Sequence, residues 1–319
     1  MPDGSGMLFR VAAGPRIGFG HLVRAVSLSR AMGATPVVSL RGGDVARETA
    51  RRLGCTVTDR PAGDAISHYR PSVVVIDDPR ASAAEHWVRT ARHHGVPSAS
   101  LLDRGLGARG TDLAIDGGPC PRGSRTESRH ALRGPRYMVL DPIFLATRHG
   151  RRSRRHRTVA IALGGGAHAT YGERVGAELA PVIGAERVCI ARGFAANRDA
   201  AIPSREIHAA LLADADVALV GGGVGLYEAC CVGVPTVAVA VTPEQRETIR
   251  AFARADAVVN AGVLNRVDDR GAARRVARCV LELLDDQPRR RRLSANARRA
   301  VDGRGSRRVA AALRGLADS

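Results

Sequence analysis

The sequence contains no lysine, and this absence excludes several classes of enzyme. All 49 basic residues are arginines, which against 31 acidic residues gives a formal net charge of +18. P-loop nucleotide hydrolases, protein kinases, pyridoxal-phosphate enzymes and Ser-x-x-Lys hydrolases each need a lysine at a fixed place in the site. The chain therefore cannot work by any of these mechanisms.

Aromatic residues are also scarce, at 3% of the chain. Proteins that bind single-stranded nucleic acid stack the bases on aromatic side chains, and here such side chains are nearly absent. The exclusive use of arginine, with many alanines, glycines and valines, is typical of a GC-rich genome. We therefore predict no nucleic-acid partner, although the arginine clusters keep a nucleic-acid-binding module as an alternative.

Other familiar signals are missing as well. The six cysteines form no Cys-x-x-Cys motif, which predicts reduced, buried thiols. No apolar run approaches the ~20 residues of a membrane span, and the first residues lack the apolar stretch of a signal peptide. Neither a His-Glu-x-x-His nor a Gly-x-Ser-x-Gly motif is present. We predict a cytoplasmic protein without a membrane span, a metal site or a covalent nucleophile.

Short apolar runs alternate with helical patterns, which is typical of α/β domains with parallel sheets. The first series of candidate strands is Met7 to Ala13, Thr35 to Leu40, Val73 to Asp77, Ser98 to Leu102 and Asp112 to Ile115. The second series is Thr158 to Leu163, Arg187 to Ala191, Asp216 to Val220, Thr236 to Ala240 and Ala257 to Asn260. Two doubly wound parallel-sheet domains are therefore predicted.

Between the two series, the segment Arg148 to Arg157 contains six arginines and no apolar residue. Such a segment cannot enter a core, so we predict a linker over residues 149–157. The domains then cover residues 1–148 and 158–319. The tail from Asn265 has helical periodicity and is expected to pack on the second domain, with its last helix reaching back to the first.

Two glycine-rich turns come directly after candidate strands and open candidate helices. The first contains Gly18, Gly20 and then His21, and the second runs from Gly221 through Gly222, Gly223 and Gly225 to Glu228. Glycines admit a ligand close to the backbone, and a helix N-terminus favours an anion. Neither turn completes the Gly-x-Gly-x-x-Gly pattern, because Val23 and Leu226 stand at the third position.

Each turn offers one side chain suited to chemistry. His21 would stand beside the bound anion and can accept a proton from water. The two carboxylate oxygens of Glu228 can accept from the paired hydroxyls of a ribose. In the alternative interpretation, both turns only connect a strand to a helix, His21 is incidental and Glu228 is a surface residue.

Further candidates follow other strands. The turn that contains Gly164 and Gly165 can touch phosphates or form a hinge, and His168 in it is expected to be solvated. Asp77, Asp78 and Asp103 end strands, so they can orient His21 or bind sugar hydroxyls, while helix capping is equally open for Asp78. Asp214 and Asp216 spell Asp-x-Asp, which we interpret as a helix-to-strand connection rather than a metal site.

Five blocks of the sequence together resemble a known family. They are RIGFGHLVRAVSLSRAMG, VVVIDDP, GPRYMVL, IALGGG and ADVALVGGGVGLYEACCVGVPTVAVAVTPEQ, in this order. The chain is similar to the UDP-2,4-diacetamido-2,4,6-trideoxy-beta-L-altropyranose hydrolases of pseudaminic acid biosynthesis and to related spore-coat polysaccharide proteins. The resemblance implies a GT-B fold, in which two Rossmann-like domains face a cleft.

The resemblance also implies roles for single residues. His21 corresponds to the water-activating base, and Gly222, Gly223 and Glu228 correspond to nucleotide-binding residues, with Gln245 as a further contact. UDP leaves with inversion at the anomeric carbon, and neither a metal nor a cofactor is required.

Three positions depart from the family pattern. Ala12 replaces the aspartate of Arg-x-Asp, Ala167 ends the turn that usually reads Gly-Gly-Ser-Asp, and Asp141 stands in the segment that usually reads Leu-Arg-x-x-Phe.

The sequence therefore predicts a UDP-sugar hydrolase. The alternatives are a glycosyltransferase with a UDP-sugar donor, in which an acceptor hydroxyl replaces water, and a catalytically impaired homologue that only binds the nucleotide sugar. The sequence predicts neither the sugar nor the oligomeric state.

Overall fold

A computed structural model describes the chain over eight ranges. They are residues 6–14, 17–102, 109–119, 128–150, 156–164, 169–191, 205–264 and 270–318. The chain divides into two compact units, the first made of Met1–Pro142 and Arg304–Ser319 and the second of Ile143–Gly303. Each unit has its own parallel sheet covered by helices, which confirms the predicted α/β class with two sheet domains.

The described residues of the first unit form seven strands. They are β1 (Met7–Ala12), β2 (Val37–Arg41), β3 (Thr56–Thr58), β4 (Val73–Asp77), β5 (Ser98–Leu102), β6 (Leu113–Asp116) and β7 (His130–Arg133). Their order in the sheet is β3-β2-β1-β4-β5-β6-β7, and every neighbouring pair is parallel. The helices of this unit are α1 (Gly20–Met32), α2 (Asp44–Arg52), α3 (Ala62–Tyr69) and α4 (Ala81–His93), together with the last helix of the chain, α12 (Gly305–Ala317).

The central strands of this sheet consist mostly of buried apolar or small residues, because helices cover both of its faces. All five residues of β4 are buried, and so are all five of β5. The predicted bounds of these two strands agree with the structure. The sequence did not predict β3 and β7, because they are short strands at the sheet edges whose residues are mostly exposed or half-buried.

In the part of the second unit that the structure describes, there are five strands. They are β8 (Val159–Ala162), β9 (Val188–Ile190), β10 (Val217–Gly221), β11 (Thr236–Ala240) and β12 (Val259–Val263), and their order is β12-β11-β10-β8-β9. All neighbouring pairs are parallel. The helices are α5 (Pro142–Gly150), α6 (Ala169–Ile183), α7 (Arg205–Asp214), α8 (Val224–Val232), α9 (Gln245–Arg254), α10 (Arg270–Asp285) and α11 (Gln287–Ala300). All five predicted strands are present here, with bounds shifted by a few residues.

The units divide at Pro142, earlier than the boundary expected at residue 148. The reason is α5, which packs within the second unit although it precedes the arginine-rich segment. Its Phe144 is fully buried, and its Arg148 donates to the carbonyl oxygens of Arg298 and Val301. Residues 151–155 of the expected linker lie outside the described residues.

The last helix of the chain lies in the first unit. Helix α12 packs on α1, and the hydroxyl of Ser306 accepts a hydrogen bond from the N–H of Leu140 at 3.0 Å. Within the described ranges, no helix is long and apolar enough to cross a membrane.

Asp214 and Asp216 connect a helix to a strand. Helix α7 ends at Asp214, and β10 begins directly after Asp216. Oδ2 of Asp216 accepts from the backbone N–H groups of His156 and Thr158 at 3.1 and 3.2 Å. Asp216 therefore fixes the start of β10 against the start of β8.

Candidate functional site

Each sheet has a topological switch point, where the chain's connections run to opposite sides of one strand. In the first sheet β1 lies between β2 and β4, and in the second sheet β8 lies between β9 and β10. Ligands of doubly wound sheets bind outside the carboxyl ends of the strands at such points. His21 and Asp77 lie at the first switch point, and Gly164 and Gly222 lie at the second.

His21 and Asp77 come together across the first switch point. His21 is the second residue of α1, Asp77 is the last residue of β4, and Nδ1 of His21 lies 2.7 Å from Oδ1 of Asp77. Because an ionised carboxylate can only accept, this contact is a hydrogen bond when the ring proton is on Nδ1. The basic lone pair is then on Nε2, as in the histidine of a hydrolytic triad.

Arg24 holds the same carboxylate from within α1. Its Nε donates to Oδ2 of Asp77 at 2.9 Å, and its Nη2 donates to Oδ1 at 2.6 Å. Nη2 also lies 2.8 Å from Nδ1 of His21. Sequence reasoning did not find Arg24, although its spacing of three residues from His21 on one helix face was an available signal.

The turn before His21 is closed by its own backbone. The N–H of Gly14 donates to the carbonyl of Gly18 at 3.0 Å, and the N–H of Gly18 donates back at 2.7 Å. Gly18 has a φ of +90°, which L-residues rarely adopt. The N–H of Gly18 is bonded within the turn, and its positive φ shapes the turn that presents Gly20 and His21.

Asp78 belongs to a separate cluster of ion pairs. Its carboxylate accepts from Nε of Arg10 at 3.2 Å and from Nη2 of Arg41 at 2.5 Å. Burial alone raises the pKa of Asp78, but hydrogen bonds from Arg41 and from the N–H of Arg80, with the charges of Arg41 and Arg10, bring it below its usual value. Asp78 ties β1 and β2 to the end of β4, and α4 begins only at Ala81.

In the second unit, Gln245 closes the glycine loop from inside. Its Oε1 accepts from the N–H groups of Gly222 at 2.9 Å and Val241 at 3.1 Å. A Cβ on Gly222 would lie 2.7 Å from Cβ of Gln245. The predicted nucleotide contacts Gly222 and Gln245 therefore bond to each other, and Gly222 is required for close packing of α9 on this loop.

Three other predicted glycines leave open space at the same sheet edge. With respect to the described part of the chain, a Cβ on Gly223 or Gly225 would meet no atom closer than 3.9 Å, and one on Gly164 would meet none within 4 Å. Helix α8 begins here without a side-chain cap, so backbone N–H groups and the helix dipole favour an anion. Gly165, His168, Ala167 and Asp103 lie outside the described residues.

Glu228 lies on α8 but is only 3% exposed. Its Oε1 accepts from Nη2 of Arg205, and its Oε2 lies 3.2 Å from Nε2 of His208. Burial alone raises the pKa of Glu228, but the charge of Arg205 and the hydrogen bond and charge of His208 lower it to about 2. Glu228 is therefore a buried anion with partners on both oxygens, not the surface residue of the alternative interpretation.

Phe144 of α5 completes this cluster. The guanidinium carbon of Arg205 lies 4.7 Å from the centre of the Phe144 ring, and the His208 ring packs edge-on against it. Among the described residues, none forms a hydrogen bond with the buried Nε of Arg205. Sequence reasoning missed Arg205 and His208 because neither belongs to a motif. Both lie on α7, which β10 separates in the sequence from Glu228 on α8.

A curated protein is similar in sequence to part of this chain. It is the spore coat polysaccharide biosynthesis protein SpsG of Bacillus subtilis (strain 168), 29% identical over 199 residues. The match covers 57% of this chain and 58% of SpsG, so the chain spans less than two thirds of that relative. No protein-family profile matches the chain. The predicted resemblance to spore-coat polysaccharide proteins is confirmed by this relative.

Solved structures with the same fold cover nearly the whole chain. MurG of Acinetobacter baumannii has a TM-score of 0.61 at 13% identity, covering 97% of this chain and 99% of its own. The spinosyn rhamnosyltransferase SpnG has a TM-score of 0.61 at 16% identity, covering 98% and 100%.

The S. aureus MnaA–UDP structure has a TM-score of 0.56 at 12% identity, covering 95% of this chain and 94% of its own. At such identities the likeness shows the fold alone. The chain therefore has the GT-B fold and is similar over part of its length to SpsG.

Proposed function

We propose that this chain is a nucleotide-sugar hydrolase that releases UDP from a UDP-linked amino or deoxy sugar, without a metal and with inversion at the anomeric carbon. The observation that carries the proposal is the 2.7 Å contact between His21 and Asp77 at the carboxyl edge of the first sheet. The similarity to SpsG, a polysaccharide biosynthesis protein by its name, supports a sugar nucleotide as the substrate.

In the proposed reaction, His21 acts as the general base. Its Nε2 takes a proton from water while the water oxygen forms a bond to the anomeric carbon. The bond between that carbon and the diphosphate oxygen breaks, and UDP leaves with the electron pair. Asp77 keeps the Nδ1 proton in place and stabilises the imidazolium that forms.

The second unit is proposed to bind the nucleotide. The open edge around Gly164, Gly223 and Gly225 would take the diphosphate, where helix N–H groups stabilise the charge that develops on the leaving group. Glu228 would accept from the ribose hydroxyls through lone pairs that Arg205 and His208 leave unused, since each carboxylate oxygen can accept more than one hydrogen bond.

The proposal is tested by incubating the purified chain with a panel of UDP-sugars, with magnesium and with EDTA, in water enriched in ¹⁸O. We expect UDP to be released equally in both conditions. The label is expected in the sugar and not in UDP, because the C–O bond breaks. Replacing His21 by Asn should lower kcat by about 10²- to 10⁴-fold and change UDP affinity little.

Other results would support the alternatives or end the proposal. UDP release only when a hydroxyl acceptor is added would identify a glycosyltransferase. UDP-sugar binding without turnover would identify a binding homologue, in line with the apolar Ala12 at the end of β1. Full activity of His21→Asn would remove His21 from the mechanism.

A further inference from the structure

Asp77 is an unusually constrained carboxylate at the edge of the first sheet. It is 1% exposed and receives three short contacts, two from the guanidinium of Arg24 and one from Nδ1 of His21. Arg24 is itself only 5% exposed. Arg24 therefore does more than join α1 to β4. It makes two hydrogen bonds to the carboxylate that contacts His21.

We infer that Arg24 is a positioning residue that acts on His21 through Asp77, an inference that rests on the proposed function. The two parallel hydrogen bonds fix the carboxylate in one orientation, as bidentate arginine pairs do. In that orientation Oδ1 of Asp77 lies 2.7 Å from Nδ1 of His21.

Arg24 also influences the proton on the other ring nitrogen. Its Nη2 is 2.8 Å from Nδ1, so its positive charge opposes formation of the imidazolium, whereas the negative charge of Asp77 favours it. Replacing Arg24 by a neutral residue therefore removes the opposing charge and leaves Asp77 beside Nδ1.

Among the described residues, three other arginines of the first unit have carboxylate partners of their own. Arg10 and Arg41 pair with Asp78, and Arg30 on the next turns of α1 pairs with Asp141 at 2.8 Å. Helix α12 packs on α1, and its buried face carries no charge. The residues of that face are small or apolar, namely Gly305, Ser306, Val309, Ala310 and Leu313.

The test compares Arg24→Gln and Arg24→Lys with the wild type. For Arg24→Gln we expect kcat to fall by about 10- to 100-fold with little change in KM, as for other groups that orient a working histidine. The acidic limb of the pH profile of kcat should move to higher pH, because the opposing charge is gone. Arg24→Lys keeps the positive charge, so the acidic limb of its pH profile should stay near the wild-type position. Its kcat should be lower than that of the wild type.

Arg30→Gln is the matched control. It removes one arginine and one carboxylate pair from the same helix, at a side chain that is 44% exposed and bonded to Asp141. Its kcat and its pH profile should both stay at the wild-type values. A loss of kcat in Arg24→Gln without movement of the acidic limb would show a merely structural role and overturn the inference.

A second measurement separates this inference from the proposed function. The ¹⁵N shifts of the His21 ring, assigned by their loss in His21→Asn, report its tautomer and protonation without any substrate. We expect the Nδ1–H tautomer at neutral pH in the wild type and a larger imidazolium fraction in Arg24→Gln. Identical spectra at every pH would overturn the role of Arg24, whereas a wild type that releases no UDP would overturn only the hydrolase proposal.

Discussion

A buried carboxylate keeps its charge only where cations or donors replace the water that it has lost. Glu228 meets this condition through Arg205 and His208, and its low pKa is the measure of that compensation. The pair is costly to break, because removal of one partner leaves the other charge buried and unpaired. Glu228 therefore has a part in the stability of the second unit whatever it binds.

We predict that Glu228→Gln lowers the free energy of unfolding by about 3 kcal/mol at pH 7. The figure follows from a folded pKa of about 2 against an ordinary value of 4.5, at 1.36 kcal/mol per unit. The folded pKa is the lower one, so this stability is present above pH 4.5 and is lost as the pH falls toward 2. The difference in the free energy of unfolding between wild type and variant should therefore become smaller as the pH falls from 4.5 toward 2.

Urea unfolding followed by far-ultraviolet circular dichroism suits this measurement, since the only tryptophan, Trp87, lies in the first unit. Glu247→Gln is the control, because Glu247 is a half-exposed partner of Arg250 on α9. Such a pair contributes about 0–1 kcal/mol. A Glu228→Gln variant as stable as this control would show that the buried pair does not stabilise the fold.

At the scale of elements, the sequence predicts strands well where both faces of the strand are buried. VVVID and SASLL give continuous apolar or small runs, and β4 and β5 follow their predicted bounds. The edge strands β3 and β7 carry no such run. Their pairing depends on neighbours that are distant in sequence, so only the folded sheet shows them.

The candidate site was predictable to the same extent. Local patterns identify His21 after a glycine turn and Asp77 at a strand end. Their contact depends on the order β2-β1-β4, which no local pattern contains. Arg205 and Glu228 meet for a similar reason, because α7 and α8 pack on each other although β10 separates them in the sequence. The sequence thus indicated several of the site residues, but it did not indicate which residues contact each other.

Two neighbouring glycines at the end of β10 should respond differently to the same substitution. A Cβ at Gly222 would lie 2.7 Å from Cβ of Gln245 and 2.9 Å from its carbonyl oxygen, so Gly222→Ala should cost about 1–3 kcal/mol of stability. Gly223 has open space and a negative φ of −88°, so Gly223→Ala should fold normally. In that variant the methyl group occupies the edge proposed for the diphosphate, and UDP affinity should fall.

Thermal unfolding and calorimetric titration with UDP distinguish the two effects. Gly222→Ala should unfold at a lower temperature, and Gly223→Ala should keep the wild-type Tm but bind UDP more weakly. If Gly223→Ala binds UDP with the wild-type Kd, the diphosphate does not lie at this helix N-terminus. If Gly222→Ala keeps the wild-type Tm, the loop accommodates the Cβ without strain.

Some of the arginines that give the chain its net charge of +18 stabilise the fold, which the composition alone does not show. Arg290 donates to the carbonyl of Leu283 at the end of α10, and Arg298 donates to the carbonyl of Val232 at the end of α8. Cations at helix C-termini satisfy unpaired carbonyls and interact favourably with the helix dipole. Such arginines would be retained even if the net charge had no function.

The segment Arg148 to Arg157 provides a test of whether the remaining charge acts on the substrate. A UDP-sugar carries two negative charges on its diphosphate, so concentrated cations would raise its rate of encounter. Replacing Arg151, Arg152, Arg154 and Arg155 by Gln should then lower kcat/KM several-fold at low salt and leave kcat nearly unchanged. The effect should fade as the Debye length falls from ~30 Å at 0.01 M to ~8 Å at physiological ionic strength.

A control with equal loss of charge shows whether the position of the cations matters. The exposed arginines of α10 and α11 chosen for it are Arg275, Arg278, Arg291 and Arg299. Replacing these by Gln reduces the net charge by the same amount, and kcat/KM should change less than in the first variant. Equal losses in both variants would assign the effect to net charge alone. A first variant with the wild-type kcat/KM at every salt concentration would leave genome composition as the explanation of these arginines.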